Sequence, residues 1–177
     1  MHYENEPHAH YLTFSCYNKL WLFKHPQLYD QFIEHVGKTR DRLEFKLWAF
    51  IVMPNHVHLL IYPRPDVTIS SVLYAIKRPF SYQAAKFLNE HFPEVWNKIQ
   101  VKQAGRIVSR FWQRGGGYDR NIFGMDALRK TIQYIHYNPV RKGLVKSVLE
   151  WKWSSVHFWE NESNKPIKLD KPWFWEE

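Results

Sequence analysis

The sequence predicts an α+β domain: a ferredoxin-like antiparallel β-sheet with helices on one face. Three observations predict it. Two strand-like runs, residues 45–53 and 56–62, are separated only by Pro54 and Asn55; helical periodicity flanks this pair on both sides; and further strand-like runs occupy residues 9–17 and 110–123. The resulting order, β-α-β-β-α-β-α around a tight hairpin, is the split arrangement in which crossover helices pack on the sheet that their strands form.

The first strand, AHYLTFSCY over residues 9–17, is rich in aromatic and β-branched side chains and stops at the turn-forming Asn18. A helix follows over 26–43, where Pro26 suits the first turn and Leu28, Phe32 and Val36 recur one turn apart. FKLWAFIVM and HVHLLIY then form the central hairpin, broken at Pro54 and Asn55. Helical spacing returns over 68–90, and Pro79, which lacks a backbone donor, is expected to kink or split that helix. Residues 93–109 fit no single element. RFWQRGGGYDRNIF, residues 110–123, reads as strand, glycine loop and return, with Gly115, Gly116 and Gly117 allowing a ligand close to the backbone. A third helix over 125–137 is expected to end near Asn138, before Pro139. From Leu144 onward the pattern is irregular and carries five of the nine tryptophans. The chain thus divides into one domain, residues 1–150, and a Trp-rich tail, 151–177.

With 25 Lys and Arg against 17 Asp and Glu, the 177 residues carry a net charge of +8, which suits a polyanionic partner. No apolar run reaches the roughly 18 residues needed to span a bilayer. The first ten residues, MHYENEPHAH, lack the charge pattern and apolar core of a signal peptide, so a cytoplasmic protein without membrane attachment is expected. The single Cys16 has no disulfide partner and reads as a small buried side chain.

His56 and His58 are two apart on a strand, so both imidazoles point the same way, as two ligands of one cation must. The alternative is two ordinary polar positions on an exposed face, as His8 and His10 illustrate near the chain's beginning. The first pair, however, interrupts an otherwise apolar strand, where imidazoles without partners are costly. Tyr134 and Asn138 are four apart near a helix end and project from one face. An amide oxygen can complete a hard-cation site, and a phenol beside that cation can attack a polarised phosphate. Alternatively, Tyr134 is a core aromatic and Asn138 a helix-terminal residue chosen for its backbone preference.

MPNHVHLLI (53–61) and YIHYNPVRKGLV (134–145), with FWQRGGGYDRNIF and WKWSS between and after them, resemble the REP-associated tyrosine transposases, relatives of the small single-tyrosine insertion-sequence transposases of the HUH superfamily. The resemblance covers residues 8–160. It implies a ferredoxin-like HUH nuclease fold and binding of Mg²⁺ or Mn²⁺ by His56, His58 and Asn138. It further implies nucleophilic attack by Tyr134 on single-stranded DNA beside hairpins of repetitive palindromic elements, giving a 5′-phosphotyrosine link. His136, inside the same motif, points well away from Tyr134 on a helix and ranks behind Asn138 as a ligand. Lys77 matches a family lysine, with Pro79 as a departure just beyond it.

For the DNA, the candidate contacts are Lys77, Arg78, Arg110, Arg114, Arg120, Arg141 and Lys142 at phosphates and Trp112 stacked on unpaired bases. Lys98, Lys102, Arg106, Arg110 and Arg114 recur every four residues, although Gly105 and the strand-like RFWQ argue against one continuous basic helix. Tyr118 and the tail tryptophans are further stacking candidates, most of the rings being assigned to the core. The expected partner is single-stranded or hairpin DNA, bound by a monomer or homodimer. Two other readings compete: a domesticated hairpin-binding protein without catalysis, and a metal-dependent hydrolase of a small phosphoester.

Overall fold

The computed structural model describes residues 8–173. In chain order its elements are β1 (Ala9–Ser15), α1 (Pro26–Leu43), β2 (Lys46–Val52), β3 (His56–Tyr62), α2 (Ile69–His91), α3 (Pro93–Lys98), β4 (Gln100–Gln103), β5 (Arg106–Ser109), β6 (Tyr118–Ile122), α4 (Met125–His136), α5 (Asn138–Arg141) and α6 (Val156–Asn161). Strands β2, β3, β1 and β6 form one antiparallel sheet in that order, while β4 and β5 form a separate hairpin. This is the predicted α+β class, with β1 and β3 central.

Register decides what each face carries. Thr13 lies opposite His58 and Phe14 opposite Val57, so Tyr11, Thr13 and His58 face one way and Leu12, Phe14 and Val57 the other. Helices α1 and α2 cover the Phe14 face. Phe32 of α1 meets Phe80 of α2 with ring centroids 4.8 Å apart, and Phe14 meets Phe32 at 6.4 Å. Helix α4 lies on the opposite face, where Tyr134 meets Tyr11 edge-on at 6.2 Å. The expectation of helices on a single face therefore holds for α1 and α2 and is corrected for α4. An apolar stripe shows which side of a helix is buried, not which face of the sheet it covers.

Pro79 neither ends nor splits α2, which runs helical from Ile69 to His91. The carbonyl that Pro79 cannot serve is that of Ala75, four residues earlier. His35 of α1 takes over: its Nε2 lies 3.1 Å from the carbonyl oxygens of both Ala75 and Ile76, and because carbonyls only accept, Nε2 must donate. Helix α4 ends at His136, near the expected boundary at Asn138, and Pro139 then sits in the first turn of the separate short helix α5, where no backbone donor is required. The ambiguous stretch 93–109 resolves into a short helix and a hairpin of two four-residue strands, elements too short to show a period.

Apart from a 3-10 turn at Val148–Glu150 and α6, the chain from Leu144 onward is irregular, as expected, but it is docked on the sheet. Val52 N–H donates to the Trp153 carbonyl at 3.0 Å, Ser155 N–H to Phe50 at 3.0 Å and Asp170 N–H to Leu47 at 3.0 Å, which lays the chain along the outer side of β2. Trp151 and Trp159 donate their indole N–H groups to the Val52 and Trp48 carbonyls, and Trp153 stacks on Tyr29 at 3.9 Å. Three tail tryptophans are thereby used as core and clamp. Trp175 lies outside the described residues.

Candidate active site

The central strand β3 holds His56 and His58 on one face with ring centroids 4.8 Å apart at 90°. His58 is 4% exposed. Its Nδ1 lies 2.8 Å from both Tyr11 Oη and Thr13 Oγ1, while its Nε2 is buried without a hydrogen-bond partner. His56 Nδ1 lies 2.6 Å from Asn55 Oδ1, an atom that only accepts, so the proton resides on Nδ1 and Nε2 keeps its lone pair. Burial, then the nearby Lys142 charge, holds the His56 pKa down to about 4. Burial, then His56 and Arg141, holds His58 down to about 3, with the Asn138 side chain acting in the opposite direction. Both rings are therefore neutral at pH 7, the form that binds metals.

Across from them, α4 and α5 supply the phenol and the amide. Tyr134 is 46% exposed, and its ring meets His58 edge-on at 6.1 Å. Asn138 is buried; its amide nitrogen donates to the Tyr134 carbonyl at 3.3 Å, which frees Oδ1 on the side where the amide influences His58. His136 points elsewhere, as the helical spacing predicts. Its Nε2 lies 2.8 Å from Ser155 Oγ, and burial, then His157, holds its pKa down to about 4.

Among the described residues no group of three or more His, Cys, Asp and Glu side chains gathers at one point. A cation here would rest on two imidazoles and one amide oxygen, all uncharged. The residues fit such an ion: His58 Nε2 is a buried polar atom with no protein partner, and His56 has its lone pair on the unengaged nitrogen. With no carboxylate present, negative charge would have to come from a bound phosphate, as is common for Mg²⁺ and Mn²⁺ sites that act on nucleotides.

The basic candidates fall into two groups. Arg141 lies over the Tyr134 ring at 3.8 Å, Arg120 over Tyr11 at 5.8 Å, and Lys142 acts on His56, so these three border the imidazole and phenol cluster. Lys77, Arg78, Arg110 and Trp112 line a separate cleft of about 490 Å³ between α2 and the glycine loop. There Lys77 Nζ donates to the Gly115 carbonyl at 2.7 Å, and burial lowers its pKa. Trp112 departs from the expectation of an open stacking platform: it is 5% exposed, donates its indole N–H to the Lys77 carbonyl at 3.1 Å and meets Phe14 edge-on at 5.0 Å. Arg114 is exposed in the loop between. The four-residue basic repeat forms no stripe, because Lys98, Lys102 and Arg106 sit on α3, β4 and β5 in turn.

Three residues of the site escape sequence reading: Tyr11, Thr13 and Asn55. Asn55 carried a local signal, being adjacent to His56. Tyr11 and Thr13 reach His58 only through the antiparallel register of strands more than forty residues apart in sequence.

Comparison with known proteins bears on this arrangement. The family described as "Transposase IS200 like" matches residues 5–138, a span containing His56, His58, Tyr134 and Asn138. The chain is 29% identical over 130 residues to the REP-associated tyrosine transposase of Escherichia coli K12, covering 72% of this chain and 64% of that protein. It is 27% identical over 129 residues to a Haemophilus influenzae protein described as a REP-associated tyrosine transposase, covering 72% and 68%. It thus spans about two thirds of the length of these relatives. Among solved structures, a REP-associated tyrosine transposase bound to a REP hairpin shares the fold at a TM-score of 0.69 and 21% identity, over 97% of this chain and 90% of that one. No described helix is long and apolar enough to cross a membrane.

Proposed function

Because the chain belongs to the IS200-like transposase family, we propose that it is a metal-dependent single-strand DNA endonuclease and strand transferase acting beside hairpins of repetitive palindromic elements, with Tyr134 as nucleophile. The observation that carries this reading is the convergence of four side chains from two distant segments: His56 and His58 on β3 against Tyr134 and Asn138 at the α4–α5 junction. The hairpin held by the structural relative supports the substrate class.

In the proposed reaction Tyr134 Oη attacks the phosphorus of a scissile phosphodiester. A 5′-phosphotyrosine bond forms as the bond to the 3′ oxygen breaks; the phenolic proton passes to solvent and the departing 3′ oxygen takes up a proton as a free hydroxyl. Mg²⁺ or Mn²⁺ held by His56, His58 and Asn138 would supply the Lewis acidity that withdraws charge from the phosphate and favours the phenolate. The neutral imidazoles leave the local positive charge to Arg141 and Lys142, which border the site and suit a phosphate backbone. The Tyr134 ring, held between Tyr11 and Arg141, has little freedom to lose on attack. Since the linkage conserves the ester, a second 3′-hydroxyl can reverse the step and join a new strand without a nucleotide cofactor.

A hairpin oligonucleotide with a single-stranded flank, incubated with the protein and Mn²⁺, is expected to give a covalent adduct that resists denaturing electrophoresis. Tyr134→Phe should bind the oligonucleotide and form none. An adduct that persists in that variant overturns the assignment, and binding without any adduct from the wild type favours the non-catalytic reading.

A further inference from the structure

His58 presents one ring nitrogen to two hydroxyls and the other to none. Thr13 Oγ1 and Tyr11 Oη both lie 2.8 Å from Nδ1, while Nε2 is buried without a partner. We propose that Tyr11 and Thr13 are positioning residues that hold the His58 proton on Nδ1, so that the Nε2 lone pair is presented to a divalent cation. This rests on the metal-dependent reading above.

The chemistry of the two nitrogens argues for that direction. A bare ring nitrogen has a single lone pair and can accept one hydroxyl proton, whereas a ring N–H can be shared between two oxygens. Placing the proton on Nε2 instead would leave an Nδ1 lone pair facing two hydroxyls of which it can accept only one, and would turn a donor towards the Asn138 amide that the cation needs. Fold and register make the arrangement firm. Thr13 is the direct cross-strand neighbour of His58, and the Tyr11 ring lies nearly parallel to the imidazole, at 9° with centroids 5.6 Å apart. Tyr11 also meets Tyr134 edge-on, and Arg120 covers Tyr11, so the same phenol that orients the imidazole bears on the nucleophile's ring. His56 is oriented the same way by a different group, Asn55 Oδ1 at 2.6 Å. Each imidazole thus has its outer nitrogen tied to a protein oxygen, the usual means of fixing a metal-binding tautomer.

The test compares wild type, the Tyr11→Phe/Thr13→Val double variant, each single variant and Thr13→Ser. ¹⁵N NMR of histidine-labelled, metal-free protein reads the His58 tautomer, and electron paramagnetic resonance of free Mn²⁺ reads affinity, with His58→Ala as the control. The wild type should carry its proton on Nδ1. The double variant should shift it to Nε2 and bind Mn²⁺ roughly 10–100-fold more weakly, while Thr13→Ser, which keeps the hydroxyl, should match wild type. The single variants should show intermediate shifts, and they carry the test should the double variant not fold. A folded double variant with an unchanged tautomer overturns the inference. If the tautomer shifts but wild type shows no Mn²⁺ binding that His58→Ala removes, the metal reading fails while the role of the hydroxyls stands.

Discussion

Arg141 lies across the face of Tyr134 with its guanidinium carbon 3.8 Å from the ring centroid, and its Nη2 donates to the Tyr134 carbonyl at 3.2 Å. One side chain from the end of α5 thus holds both the ring and the backbone of the candidate nucleophile. A planar guanidinium can stack and fork in this way, and a compact ammonium cannot. Arg141→Lys is expected to keep the salt dependence of oligonucleotide binding but slow adduct formation by about fivefold, the ~1 kcal/mol scale of such a contact. Arg141→Ala should slow it as much and also reduce the log–log salt slope by about 1. Anisotropy titrations over a salt series, with adduct kinetics on the same oligonucleotide, check both.

The His35 bridge to Ala75 and Ile76 predicts a coupling between two helices. His35→Leu should destabilise the fold by about 1–3 kcal/mol, because it strands the Ala75 carbonyl, which Pro79 already leaves without its helical donor. Pro79→Ala restores the donor for Ala75, so it should cost less, or stabilise, in the His35→Leu background than alone. A double-mutant cycle by urea denaturation measures this, and additive effects would show that the bridge does not compensate for the proline.

Gly117 is held where a side chain cannot go. Its φ is +85°, and a Cβ there would sit 2.2 Å from the Thr13 carbonyl oxygen, a backbone atom of the adjoining strand. Gly117→Ala is expected to destabilise by several kcal/mol through strain at the β1–β6 junction. Gly116→Ala meets only a Leu73 methyl at 3.8 Å and should stay within about 0.5 kcal/mol of wild type. Thermal unfolding of the pair separates backbone collision from general loop sensitivity.

His136 makes stability depend on acid. Burial holds its pKa at about 4 in the folded chain against an ordinary 6.5, so below pH 6.5 the unfolded state binds a proton that the folded state refuses. Its contribution is complete above pH 6.5 and is lost as the pH falls towards 4, about 3 kcal/mol in all. His136→Gln can keep a hydrogen bond to Ser155 without titrating, so its denaturation profile between pH 6.5 and 4 should be flatter than wild type by that amount. His56 and His58 titrate in both proteins and leave a residual slope.

Much of this was legible in the sequence, for identifiable reasons. Strands β1, β2 and β3 and helices α1, α2 and α4 are long enough to show their periods, and the His-x-His and Tyr-x-x-x-Asn spacings fix which side chains share a face. What stayed hidden is non-local. Register brings Tyr11 and Thr13 to His58, and packing sends α4 to the opposite face from α1 and α2. Trp112 is a sequence candidate for stacking on unpaired bases, yet one isolated bridge to Cys16 seats it at the end of β1 and its ring packs edge-on against Phe14. The tail lacked a period because it is held mainly by backbone contacts to β2 and by single indole hydrogen bonds, and its one regular element past residue 150, α6, is too short to show one.

Those contacts also decide how the sheet meets other chains. A strand at the end of a sheet offers a row of unpaired amides and carbonyls to any extended peptide. Residues 153–155 and 170 satisfy that row on β2, so the sheet is sealed there by its own chain. Among the described residues, β6 has no neighbour beyond β1. Strand-on-strand association through this sheet, whether with a second copy or as misassembly, is thereby confined to its β6 edge, and removing the tail would open the other.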